Sequence, residues 1–540
     1  MLLRPRRPAP GSSRFRAACF AASALLAAAA PVHAQDPFAA GLRWTRAATP
    51  ADPWIPRSVA FGAEDGVVWA SATGAGAHLE LDGASAFGAV PPLAREDGVA
   101  NALSVLSVAA GSAPTACFSV AQFGQPDAAH RRTQLARYSP VQAAEGGAFV
   151  PAWSHDPGLV VNGPARIACD ARGTRLFLAL WNDAAHTVRV EALDGASGAV
   201  LGLVDFPATG LSELAASADG ARIAVTAGTA LWIGDANAAP LQTLSLAAST
   251  RAITFSGDGT RLAVGGSGAL TVFAEGPGGY ASAFTVPAAA NELAARAELA
   301  RDGSTLAIGW WNAASGVDVR LEVLDVPTHA RLWQTVQLGT PGGLQNLPEV
   351  VRVSPDGARI ALGTWGDGSA NPELQLFDRA SSTPLLAVDL PGSVQALALD
   401  ASGTRVAVGF KNAHANQFAS TGQFRLYDTG ERDLVVRGDA RIGGALELSA
   451  KHAGASEVLY LFGQRAPAPL HPAGTVGDLL LRRARLVVVA VGADADGRAD
   501  LAQPSPADPV LRGRPWHVQA AFRVNGVLHF SKSVVDPLIW

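Results

Sequence analysis

All-β is the fold class this sequence predicts: an eight-bladed, alternatively seven-bladed, β-propeller followed by a small β-sandwich-like domain. The first observation behind it is the stretch Val351–Gly363. It sets Val351 and Val353 before Pro355-Asp356-Gly357, and Ile360 and Leu362 after it. Asp-Gly between two alternating apolar runs signals a tight hairpin, because Asp caps its own turn and Gly takes positive φ without a Cβ clash. Two further runs, Glu373–Asp378 and Leu385–Val388, complete a four-stranded unit. Such a sheet has two apolar faces and cannot bury both without neighbours, so the unit must repeat. The third observation is composition: 57 Gly, a single Met and 16% charged residues in 540 suit short strands and tight turns better than long charged helices.

In chain order, residues 1–34 read as a secretory signal peptide. Arg4, Arg6, Arg7, Arg14 and Arg16 precede the apolar run Ala17–Ala30, and Val32-His33-Ala34 supplies a small-residue cleavage site before Gln35. Cys19 opens the apolar run instead of closing it, which argues against a lipoprotein anchor. The expected setting is bacterial export, secreted or periplasmic. No other stretch reaches the roughly 18 apolar residues a membrane span needs, so none is expected. Removing the leader takes the formal charge from −4 to about −9. No basic run survives, which excludes nucleic acid as a partner class.

Residues 35–436 hold the repeats. Eight hairpins read Val59–Ser71, Leu106–Phe123, Ile167–Asn182, Leu214–Gly228, Ile253–Gly266, Leu299–Asn312, Val351–Gly363 and Leu397–Phe410. The turn glycines Gly220, Gly259, Gly303, Gly357 and Gly403 fall roughly 40–55 residues apart, the range of propeller blades. The second unit is the most degenerate. The eighth reaches a third strand at Gln423–Asp428 without a clear fourth. Gly41–Arg46 stands at the mature N-terminus with no hairpin of its own and is similar to the fourth strand at Ala330–Thr335. Residues near 41–46 are therefore expected to complete the last blade, since an open ring leaves a bare strand edge. Residues 437–540 break the period and read as a separate β-sandwich-like domain.

These segments carry a resemblance. Ser354-Pro355-Asp356-Gly357 with its flanking runs resembles the inner hairpin of WD-repeat and bacterial YVTN-type propellers. Leu193–Gly198 and Leu324–Thr328 resemble the third-to-fourth strand turn of quinoprotein-type repeats. The resemblance spans Leu42 to Thr429 and implies a propeller repeat of a kind shared by many functions.

The connections after each second strand differ. They are terse at Ala227–Ala230 and Gly265–Ala269 and long at Trp181–His186, Trp310–Val317, Trp365–Pro372 and Phe410–Gly422. In a propeller they share one rim. Trp181, Asn182, Trp310, Trp311, Asn312, Trp365, Phe410 and Asn412 are thus the candidate ligand rim, aromatic faces beside amides of the kind a glycan or peptide surface uses. The same tryptophans also suit packing between narrow blade faces.

Cys117 and Cys169 fall in adjacent inner hairpins. They read as buried small hydrophobes, or as a disulfide in an oxidising compartment. No metal site and no cofactor are expected. Asp494–Asp500 alternates carboxylates as a calcium loop does, but the twelfth position is Ser505 in place of a closing Glu. No nucleophile elbow, phosphate loop or metal-spaced His is present, and the adjacent Cys-Cys pair typical of quinoprotein dehydrogenases is missing. No catalytic residue is assigned. The expected function is a monomeric, non-catalytic binding scaffold for a protein, peptide or glycan. The alternative is a propeller hydrolase or quinone-dependent oxidoreductase with its site at the channel mouth.

Overall fold

The fold was taken from a computed structural model, which describes residues 41–49, 53–61, 67–72, 76–81, 84–89, 104–111, 116–124, 131–138, 152–158, 160–161, 164–430, 432–436, 443–483, 486–505, 507–508, 516–532 and 534. Among them every regular element is a strand, and no helix is long and apolar enough to cross a membrane. The leader expected over residues 1–34 lies outside the described residues.

The chain is all-β, and its antiparallel sheets fit a propeller repeat. In the third sheet Ala165–Cys169, Arg175–Asn182, Thr187–Asp194 and Val200–Pro207 pair in sequence order. The fourth to seventh sheets repeat this order from Glu213–Ala216, Thr250–Phe255, Glu292–Leu299 and Pro348–Val353, and the first does so from Pro56–Phe61. The first strands lie side by side in chain order through Ser104–Gly111 and on to Val394–Leu399, which returns to Pro56–Phe61. In the last of these sheets the outer position is held by Gly41–Ala47. It runs antiparallel to Gly422–Asp428, with Leu42 opposite Tyr427 and Trp44 opposite Leu426. Leu42 also packs on the cluster of Leu376, Leu390 and Tyr427.

A strand's position within its sheet sets its sequence pattern. Second strands are buried on both faces: Leu176 through Leu180 are all buried, as are Ile223–Val225 and Leu306–Ile308. Neighbouring sheets cover both sides, so these runs are continuously apolar. Outer strands alternate instead, as in Val200–Pro207 and Pro384–Val388, where one face meets water.

The Ser-x-Asp-Gly turns are uniform. At Ser217–Arg222 the serine hydroxyl donates to Asp219 Oδ1 (2.5 Å), that carboxylate accepts from Ala221 N–H (2.9 Å), and Arg222 N–H donates back to the hydroxyl (3.0 Å). Ser256–Arg261 and Ser354–Arg359 repeat the pattern. Backbone bonds tie one turn to the next: Ala171 N–H to Ala218 O (2.8 Å), Asp219 to Gly257 (3.1 Å), Gly257 to Arg301 (2.8 Å) and Asp302 to Pro355 (3.2 Å).

The second sheet departs from the pattern. Trp153–His155 and Val160–Val161 share the outer edge of Arg131–Tyr138, one at each end. Gly158, at φ 68°, follows Pro157 between the two pieces, and a proline cannot donate to the ladder there. The side chain of Cys117 lies outside the described residues, so its pairing with Cys169 is not described. Burial, with Asp170 beside it, pushes the Cys169 thiol up to about 12.

After Asp433 two sheets stack. Leu434–Val436, Ala445–Lys451 and Arg498–Pro504 form one. The other has the order Thr475–Val476, Val527–Phe530, His517–Val524, Ala455–Gly463 and Val487–Gly492. Leu446, Leu448, Val458, Tyr460 and Phe522 fill the space between them, and Tyr460 O–H donates across it to Ala499 O (2.6 Å). Leu434–Val436 belongs to this pair of sheets, so the sheet starts before the boundary expected at 437. A two-stranded piece, Arg465–Leu470 with Leu479–Leu481, was not foreseen. Asp494 is spent on its own turn, its Oδ1 accepting from Asp496 N–H and Arg498 N–H (both 2.9 Å).

Candidate functional site

The connections after the second strands and those between successive sheets meet on one face. From the sixth to the last sheet they form a hydrogen-bonded platform. Asn346 N–H donates to Gly316 O (3.0 Å), and Asn346 Oδ1 accepts from Gly366 N–H (2.8 Å). Gly339 N–H donates to Asp318 Oδ1 (3.1 Å) and Thr340 N–H to Asp367 Oδ2 (2.9 Å). Ser393 O–H donates to Trp365 O (2.7 Å), and Asn416 Nδ2 donates to Gln345 Oε1 (3.0 Å). Each bond joins segments distant in sequence, so loops of this length are held in one arrangement.

The predicted rim residues divide into two groups. Trp310 and Phe410 are fully buried and present no surface to a ligand. Both end second strands, where a sheet covers either side; this is the correction to the sequence reading. Trp310 Nε1–H donates to Glu322 Oε2 (2.9 Å) under the Arg320 guanidinium, 5.0 Å from the ring. Arg425 lies 5.0 Å over Phe410.

The remaining rim residues are half-buried. Trp181 packs beside His186 (6.1 Å between centroids). Asn182 and Asn312 cap their own turns, accepting from Ala185 N–H (3.1 Å) and Ala314 N–H (3.0 Å). Asn412 is held between Thr421 and Gln423. Trp365 Nε1–H donates to Glu349 Oε2 (2.9 Å), and Lys411 Nζ lies 6.0 Å from its ring. Trp311 differs: its Nε1 has no hydrogen-bond partner.

Two features of this face were missed by the sequence reading. Phe418 is 92% exposed on the loop after the last sheet's second strand, and Leu338 is 72% exposed on the connection after the sixth sheet. Lys411 Nζ braces the Phe418 loop by donating to Ala415 O and to Gln417 O (3.1 Å). Beneath the platform lies a buried carboxyl, Glu373. Its Oε2 accepts from Leu390 N–H (2.6 Å), while Oε1 has no hydrogen-bond partner. Burial, with Asp389 and Asp367 nearby, pushes it up to about 7. Burial also holds the Lys411 ammonium below its ordinary value. A carboxylate directly before the alternating run Leu374–Phe377 was the only sequence signal for Glu373.

On the opposite, hairpin-turn face lies a cavity of about 360 Å³ between the sixth and seventh sheets, lined by Ser304, Asp356, Asp378 and Arg379. Two of its charges are paired within the protein, Arg379 with Asp325 and Asp378 with Arg359, and Asp356 accepts from Ser354 O–H and Ala358 N–H. Among the described residues no group of three or more His, Cys, Asp and Glu is placed to hold a metal ion.

No protein-family model matches the chain, and no curated protein matches it. Among solved structures it is similar to a chain of the mitotic checkpoint complex, at 15% identity and a TM-score of 0.40, over 57% of this chain and 86% of that one. It is also similar to hydrazine synthase of Kuenenia stuttgartiensis, at 18% identity and a TM-score of 0.37, over 46% of this chain and 74% of that one.

Proposed function

We propose that this chain is an exported, eight-bladed propeller with an appended β domain from about residue 434, acting as a non-catalytic scaffold that binds a protein, peptide or glycan. The observation that carries the reading is the platform itself. Loops from three successive sheets are cross-bonded into a fixed surface, with Phe418 and Leu338 exposed upon it. Large apolar side chains carried on cross-bonded loops are what a binding face offers, because little loop-ordering entropy is lost on contact. Trp181, Asn182, Trp311, Asn312, Trp365 and Asn412 complete the rim, with Trp310 and Phe410 supporting it from below. The sequential neighbouring of the first strands, closed by Gly41–Ala47, supports the eight-bladed count. The leader's charge and apolar pattern supports export, with Gln35 as the mature N-terminus.

The test is a peptide, glycan and peptidoglycan-fragment array probed with wild type, Phe418→Ser and Trp311→Ala. The expected result is a ligand class retained by wild type and lost by both variants while each remains cooperatively folded. Binding that is unaffected by both substitutions, or no ligand of any class, overturns the reading.

A further inference from the structure

The strand Val487–Gly492 has an edge with no partner among the described residues. It is the last strand of its five-stranded sheet, pairing with Ala455–Gly463 on one side only, from Glu457 opposite Gly492 to Phe462 opposite Val487. Its sequence, with Leu486 before it, carries no charge, no proline and no internal glycine. Val489 and Val491 lean on the core between the stacked sheets, yet Val487 and Val488 are 60% and 52% exposed. An exposed, apolar edge strand lacking the usual guards of lysine, proline or a bulge is a template for another strand.

The flanking charges indicate which strand it takes. Arg482 and Arg483 stand exposed before it, and Asp494 and Asp496 stand exposed after it. We infer that Val487–Gly492 pairs antiparallel with the same strand of a second copy of this chain, about a two-fold axis through Val489. That register sets Val488 opposite Ala490 of the partner subunit on the same face, as alternation requires. It also brings the Arg482–Arg483 end of each strand beside Asp494 and Asp496 of the partner subunit, so both ends attract. A parallel arrangement would instead set like charges together at each end. The contact is isologous and closes as a dimer. The chain's own end is a poorer occupant. Val534 packs in the same cluster as Leu486, but Pro537 beyond it has no N–H to give the ladder. On this assignment the chain is a dimer, where the sequence reading expects a monomer.

Sedimentation velocity of the full mature chain over a dilution series tests the assignment. Wild type is expected to be a reversible dimer. Val488→Lys, which puts a charge at the seam, is expected to weaken it roughly tenfold or more at unchanged melting temperature. Asp496→Arg is expected to weaken it several-fold, and the Arg483→Asp/Asp496→Arg exchange to restore it. The exchange keeps the test valid should Val488→Lys disturb folding. A wild type that stays monomeric throughout, or a dimer unaffected by all three variants, overturns the inference.

Discussion

Glu373 Oε1 lies 3.6 Å from His414 Nδ1, and neither atom has a hydrogen-bond partner. The two side chains come from different sheets, one just before the third strand of the seventh and the other on the loop after the second strand of the last. A carboxyl raised to about 7 by burial binds its proton more tightly folded than unfolded. Stability is therefore full below about pH 4.5, falls as pH rises from there to about 7, and carries the whole cost above that, on the order of 3 kcal/mol. Glu373→Gln keeps the acceptor for Leu390 N–H and removes the titration. It is expected to melt higher than wild type at pH 8 and nearly level with it at pH 4. Thermal melts across that range check it, and parallel profiles for the two proteins would refute the assignment.

Gly41–Ala47 joins the start of the described chain to Gly422–Asp428. Deleting residues 36–48 strips that strand, uncovers Tyr427 and Leu390 where Leu42 packs, and opens an edge in the last sheet. The expected result is a melting temperature lower by roughly 5 °C or more with a broadened transition, read by calorimetry. A deletion that melts like wild type would show that the strand contributes nothing to the ring.

What was legible in the sequence followed from local chemistry. The Asp-Gly turns announce themselves because a residue's own backbone requirement selects Asp and Gly, and Gly357 sits at φ 72°. The rim was legible only in part, because one strand end serves two purposes. Trp310 and Trp311 are adjacent, yet the first turns into the sheet interface and the second stays half-buried beside the loop. Alternation fixes that they differ, not which one faces in; that depends on the neighbouring sheet's position. The Glu373–His414 approach was not legible, since 41 positions separate residues brought together only by ring geometry. The same division predicts unequal costs. Trp310→Ala leaves a cavity and removes one of the donors to Glu322 Oε2, which keeps its pair with Arg320, at about 3–5 kcal/mol, whereas Trp311→Ala costs about 1 kcal/mol. Urea midpoints separate the two, and equal losses would refute the assignment of Trp310 to the core.

Gly357 and Gly368 allow the stitching between neighbouring turns to be measured apart from backbone strain. Both take positive φ, 72° and 74°, so alanine at either pays a left-handed penalty of about 1 kcal/mol. They differ in what a Cβ would meet. At Gly368 the nearest atom is Leu344 Cδ1 at 3.6 Å, an ordinary contact, while at Gly357 Ser304 Oγ and Thr305 Oγ1 of the preceding sheet lie at 2.5 Å. Thr305 O–H donates to Gly357 O (3.2 Å), so the two turns cannot separate without losing that bond. Gly357→Ala is therefore expected to destabilise by on the order of 3 kcal/mol and Gly368→Ala by about 1 kcal/mol. Denaturant titrations of the two variants test this. A matched pair of losses would mean that the turns yield freely and that the sheets are not held in register by their hairpin tips.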